Sequence, residues 1–201
     1  MTALTATSSR WAFLALLGML TLLPVGADAG MSTEEVKKFE ECKLLAERGD
    51  AVAQFELGRC YHLGLGTQVE KGTAFLWWKK SAEQGNADAQ VRYGTCFGNG
   101  DVVKTDWKQA FKWWLKASEQ GMSIAHNNLG YCLENGKGTK KDVIEAYAYY
   151  ILAAQGESIA QFGLLALEKK LTASEILAGK KRAEELQKEI EAKIAAKKAG
   201  K

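Results

Sequence analysis

Four cysteines, two histidines and three aromatic pairs are the side chains of this chain with the most chemistry to offer. Thiols beside a base act as nucleophiles, thiols and imidazoles at short regular spacing hold zinc, and thiols brought together in an oxidising compartment form disulfides. The zinc pattern is missing: there is no Cys-x-x-Cys, and His62 and His126 stand at different phases of the repeat described below. No nucleophile stands with a base and an orienting group at a recognisable spacing. Gly64-Leu65-Gly66 and Gly98-Asn99-Gly100 look like phosphate loops only in glycine content; each follows an apolar helical run and reads as a helix-ending turn. The residues thus imply no catalytic group, metal or cofactor. The pairs Trp77-Trp78, Trp113-Trp114 and Tyr149-Tyr150 could form a sugar or cofactor platform, or fill a core.

Their spacing favours core, because the chain repeats. Leu57-Gly58-Arg59-Cys60-Tyr61 recurs as Tyr93-Gly94-Thr95-Cys96-Phe97 and as Leu129-Gly130-Tyr131-Cys132-Leu133, a step of 36 residues each time. The aromatic pairs follow in phase, although the third unit ends one residue short at Gly156. A fixed period of this length means stacked supersecondary units, none able to bury its apolar face alone. The only proline is Pro24, so the remainder can be helical throughout. Ala53, Leu57, Cys60 and Tyr61 share one helical face, and Ala74, Trp77, Trp78, Ser81 and Ala82 share another. Asp142 with Glu145 and Asp106 with Gln109 are capping-box-like starts. Glu70, a weaker cap, predicts that its helix begins nearer Thr73. Gly58, Gly94 and Gly130 recur inside helices at about 1 kcal/mol each, which implies a close approach there. Trp107, off-phase, is the aromatic expected to be exposed.

The first 29 residues read as an export signal. Arg10 supplies charge, Trp11 to Leu23 is apolar but short for a membrane span, and Ala27-Asp28-Ala29 is a small-x-small cleavage site. A half-repeat follows over 30–49, full units over 50–85, 86–121 and 122–157, and a partial repeat over 158–201. The partial repeat ends in a charged helix opened by Thr172 and Glu175, with Leu186, Ile190 and Ile194 as its apolar stripe. The net charge of +3 is too mild for a nucleic-acid binder.

The units resemble the Sel1-like repeat (SLR) family, a relative of the tetratricopeptide repeat. Ala51, Ala53, Gln54, Leu57, Gly58, Tyr61, Gly64 and Gly66 match its pattern in the first unit. Ala89, Gln90, Gly94, Gly100, Asp106, Ala110, Trp113 and Gly121 match in the second, and Ala125, Leu129, Gly130, Gly136, Gly138, Asp142, Ala146 and Gly156 in the third. Val102 replaces a glycine of the pattern, so the second turn is expected to be distorted. The resemblance implies an all-α, right-handed α-solenoid that binds another protein or a peptide along a concave groove. By that likeness the groove is lined by Phe55, Arg59 and His62, then Val91 and Thr95, then Asn127, Tyr131 and Glu134. An exported monomeric adaptor of the cell envelope is the expected function, with no nucleic acid and no stable membrane insertion after signal cleavage. An envelope hydrolase or cell-wall and β-lactam-binding protein on the same fold is the alternative, and a structural element of a larger assembly a third.

Within that frame Cys60, Cys96 and Cys132 share one phase. Equivalent residues of stacked repeats lie about 10 Å apart and cannot bridge. Cys42 instead occupies the slot of Trp78, and an antiparallel turn near Gly49-Asp50 sets it opposite Cys60. Cys42 and Cys60 are therefore the expected disulfide, with Cys96 and Cys132 as buried thiols against indole; four small core hydrophobes is the competing reading. His126 stands where the other units carry glutamine and should do the same structural work.

Overall fold

The structure, a computed structural model, describes residues 32–156 and 158–200; the apolar run read as an export signal lies outside them. Nine helices and no strand occur among the described residues. They are α1 (Thr33–Glu47), α2 (Ala51–Leu63), α3 (Lys71–Glu83), α4 (Ala87–Asn99), α5 (Trp107–Ser118), α6 (Ser123–Asn135), α7 (Val143–Ala154), α8 (Ser158–Glu168) and α9 (Ala173–Ala199). From α1 to α8 each helix packs on its neighbours in sequence, so α2–α3, α4–α5 and α6–α7 form three stacked helical pairs.

Local chemistry sets these boundaries. Asp50 and Asn86 cap α2 and α4 by accepting from the backbone N–H of Ala53 and Ala89. Asp106 and Asp142 each accept from two backbone N–H groups at the starts of α5 and α7. Glu70 makes no such cap, yet α3 begins at Lys71, two residues before the start expected at Thr73. The reason is a bond that side-chain reasoning does not see. The Glu70 N–H donates to Tyr61 O at 2.7 Å, as Asp106 does to Phe97 O and Asp142 to Leu133 O, and this pins the start of each second helix.

The recurrent helix glycines have a specific cause. A Cβ at Gly58 would lie 2.5 Å from the Trp78 ring, one at Gly94 2.9 Å from Trp114, and one at Gly130 2.9 Å from Tyr150. The second aromatic of each pair thus lies directly on its partner helix. Trp78 and Trp114 add a bond from the indole N–H to the carbonyls of Phe55 and Val91, both at 3.3 Å. In the turns, Gly66 and Gly138 have positive φ and press onto the backbone of the preceding second helix, at Glu35 and at Trp107. Val102 takes that place in unit two. Units one and three make the turn bonds Leu65 N–H to Cys60 O and Lys137 N–H to Cys132 O, and the counterpart is missing from unit two among the described residues.

The last helix does not pack as the second half of a fourth pair. α9 lies against α7, where Ala183, Leu186 and Ile190 cover a face containing Tyr147, Ala148 and Leu152. Arg182 donates to both oxygens of Glu145, at 2.8 and 3.2 Å. Farther along, Lys193 pairs with Glu119 at 2.7 Å and Lys197 donates to Gln120, so the helix reaches the turn between α5 and α6. Phe162 and Leu165 of α8 are left exposed.

Candidate functional site

The face built by the first helices α2, α4 and α6 holds the residues that the sequence singles out, and the structure divides them into separate neighbourhoods. Arg59 is exposed, paired with Glu56 at 3.2 Å, on the rim of a hollow of about 390 Å³. Phe39, Cys42, Cys60 and Leu65 supply much of the lining, which is mainly apolar. His62 packs against Trp78 with ring centroids 5.2 Å apart and planes tilted by 49°, and shares a smaller hollow of about 130 Å³ with Arg92, Thr95 and Asp101. Phe55 is half-buried against the Trp78 cluster. Val91 is buried in the core, its carbonyl accepting from Trp114 and from the Thr95 hydroxyl, and so does not reach the surface.

In unit three Asn127 is half-buried, and Tyr131 is 40% exposed. The Lys137 ammonium donates to the Tyr131 hydroxyl at 2.8 Å and lies 4.3 Å from the centre of the Trp107 ring, an arrangement that cation–π attraction stabilises. Trp107, expected to be exposed, is therefore half-buried between Trp114, Tyr131 and Lys137. Glu134 accepts from the Tyr150 hydroxyl at 3.2 Å and from Lys170 at 3.0 Å, which ties α6 to α7 and to the end of α8. Lys137 escaped the sequence reading. Its one signal is positional: it replaces Leu65 and Asp101 of the other units.

The four cysteines are free thiols in this structure. Cys42 and Cys60 line one hollow, and the Cys42 Sγ–H donates to Ala53 O at 3.3 Å. Burial first, and then the neighbouring Cys60, push the Cys42 thiol up to about 11; burial also raises Cys60. Cys96 shares a cluster with Trp78, and Cys132 one with Trp114; burial pushes both up to about 11. A thiol that stays protonated at neutral pH is a poor nucleophile.

His126 does the work of the glutamine it replaces. The Gln54 and Gln90 side-chain amides donate to Ala46 O and Ala82 O at 3.1 and 3.2 Å, and His126 Nε2 sits 3.3 Å from Ser118 O in the same relation. Gln54 and Gln90 also accept from Gln84 and Gln120, at 2.7 and 2.9 Å, whereas His126 Nδ1 is buried without a partner. Burial lowers the His126 pKa. Because the unfolded chain takes up a proton near the ordinary histidine value of about 6.5, stability is complete above that pH and falls as pH drops below it. Urea midpoints measured from neutral pH to about pH 5 should decline less in His126→Gln than in the wild type. Equal declines would place the titration elsewhere.

Stacked helical pairs with a partly polar, hollowed first-helix face define an α-solenoid of repeats, the architecture of a protein-interaction scaffold. The Sel1 repeat model matches residues 51–86, 87–122 and 123–158, and the chain belongs to that family. Its members generally serve as protein-interaction scaffolds and not as enzymes. No curated protein matches the chain. Among solved structures it is similar to a Sel1 repeat protein from Oxalobacter formigenes, with 34% identity over 75% of this chain and 64% of that one, TM-score 0.63. It is also similar to c5321, a protective antigen of uropathogenic Escherichia coli with an SLR fold, at 26% identity, 83% and 44% coverage and TM-score 0.52. Helicobacter pylori cysteine rich protein B shares the fold at 23% identity, 63% and 95% coverage and TM-score 0.51. The chain thus spans less than two thirds of the length of the first two relatives. Among the described residues no helix is long and apolar enough to cross a membrane.

Proposed function

We propose that the protein is an exported adaptor of the cell envelope that captures a peptide or a single helix of another protein on its first-helix face. The observation that carries this reading is the hollow between α1 and α2. It is sized for one or two apolar side chains, with buried Phe39 and exposed Leu65 in its lining, and Arg59 stands exposed at its rim. Arginine beside a desolvated apolar pocket is a frequent anchor in protein interfaces. Export is supported by the apolar run before Ala27-Asp28-Ala29. In an oxidising compartment Cys42 and Cys60, facing that same hollow, close as a bridge; their raised pKa values make the closure slow without a thiol-disulfide catalyst. The raised thiols are not the activated nucleophile that the hydrolase alternative calls for.

The test compares wild type with Arg59→Ala/Leu65→Glu in capture from envelope extract. Both sites are exposed, so the variant should keep its helical spectrum and melting midpoint. A partner bound by the wild type and weakened about tenfold or more in the folded variant is the expected result. Equal retention would sink the assignment of the hollow.

A further inference from the structure

The turns joining first to second helices in units two and three, residues 100–106 and 136–142, carry charge that the first-helix face does not explain. With the first turn of α5 they hold Lys104, Lys108, Lys137, Lys140 and Lys141 against Asp101, Asp106 and Asp142. Two of these carboxylates are occupied by backbone. Asp106 accepts from the N–H of Lys108 and Gln109, and Asp142 from that of Ile144 and Glu145, at 3.0 to 3.1 Å. Among the described residues no carboxylate oxygen lies within 4.0 Å of any of the five ammonium groups, which is also true of scattered lysines such as Lys169, Lys181 and Lys198; what sets this edge apart is that five stand together. The same turn in unit one, residues 64–70, contains no lysine and ends on Glu70, and the first turn of α3 adds only Lys71, so the turn itself does not require the charge.

The cations are arranged and not merely present. Lys137 is held by the Tyr131 hydroxyl and by the faces of Trp107 and Tyr131, at 4.3 and 4.9 Å, partners that fix an ammonium without neutralising it. Next to it Lys104, Thr105, Asp106, Trp107, Lys108 and Gly138 line an open hollow of about 540 Å³, in which the Asp106 carboxylate is engaged by the backbone N–H of Lys108 and Gln109. An aromatic wall, a fixed cation and exposed lysines at the rim suit a chain bearing carboxylates.

We infer that this edge of units two and three docks an acidic peptide segment. A membrane surface fits less well: Tyr131 is the only large hydrophobic at this edge among those the described residues expose, so no apolar side chain stands ready to enter a bilayer. Nucleic acid fits less well because the positions are all lysine, without the arginine forks or freely exposed aromatic faces that hold phosphates and bases. The inference does not rest on the hollow at Arg59, which lies between α1 and α2.

The test uses the full mature chain and a fluorescein-labelled, glutamate-rich peptide with one central phenylalanine, followed by anisotropy. Lys104→Gln/Lys108→Gln/Lys140→Gln changes three exposed side chains and should weaken binding about tenfold, from three ion pairs of ordinary surface strength. The control Lys169→Gln/Lys181→Gln/Lys198→Gln removes the same charge from other exposed sites and should bind as the wild type does. Arg59→Ala/Leu65→Glu should also leave binding intact, which separates this surface from the proposed adaptor hollow. Equal weakening by both lysine triples, or no binding near 0.15 M salt, would overturn the inference. So would tighter binding to phosphatidylglycerol vesicles or single-stranded DNA that the edge triple abolishes.

Discussion

Ending the chain at Thr172 is expected to destabilise the third unit enough that it unfolds before the other two. The deletion strips α7 of the cover provided by Ala183, Leu186 and Ile190, which are only 3 to 6% exposed in the intact protein. Burying a leucine or isoleucine contributes about 1.5–3 kcal/mol. Two such residues, with the newly wetted Tyr147 and Leu152 beneath them, approach the whole stability of a small domain, about 5–15 kcal/mol. The two-point Arg182–Glu145 contact goes with them. In a stacked array stability is roughly a sum of unit and neighbour contributions, so the damage stays local at first. Urea unfolding followed by circular dichroism should show a lower first midpoint and a broadened or split transition. A single transition at the full-length midpoint would mean that α9 is ornamental.

Trp114→Ala is the point substitution expected to cost most. The side chain is 4% exposed, lies on Gly94 and Gly98, and shares the central cluster with Cys132. Removing it leaves a cavity between two rigid helices whose glycines have no side chain to fill it, and truncations of this kind cost about 3–5 kcal/mol. Its N–H bond to Val91 O is a smaller part, since that carbonyl still accepts from the Thr95 hydroxyl. Trp114→Phe should therefore lose clearly less than Trp114→Ala. Urea midpoints with unchanged slopes would give both numbers. An alanine variant within about 1 kcal/mol of wild type would show that the two helices collapse onto each other.

Much of this architecture is legible in the residues because the repeat states each rule three times. The in-phase glycines and second aromatics predict a close approach, and the aspartates predict their own helix starts. The start of α3 was not legible, because a backbone bond from Glu70 to Tyr61, invisible in side-chain types, sets it. The docking of α9 was legible only in part. Leu186, Ile190 and Ile194 announce an apolar stripe, but not the surface that receives it. That signal sits in α7, where Tyr147, Ala148 and Leu152 stand in the positions of Phe111, Lys112 and Lys116 in α5. One second helix is thus apolar on a side where its neighbour is charged. The candidate binding residues were harder still. Register says which face of a helix a residue occupies, but it does not say that Val91 is covered by Trp114. Nor does it say that Glu134 is already engaged by Tyr150 and Lys170.

A stack of helical pairs behaves as a soft spring, since each pair can rotate a little on the next. α9 is a rod about 40 Å long laid across the coils of that spring. Its grip on Glu145 of α7 and on Glu119 beyond α5 joins two successive coils to one stiff member. Pitch between units two and three is thereby set by the rod, while unit one meets it only at its closing turn, where Lys197 comes near Gly85 with no ion pair among the described residues, and keeps more of the compliance of an unbraced coil. A ligand gripping unit one meets a surface that can bend to it, and one gripping units two and three meets a surface already shaped.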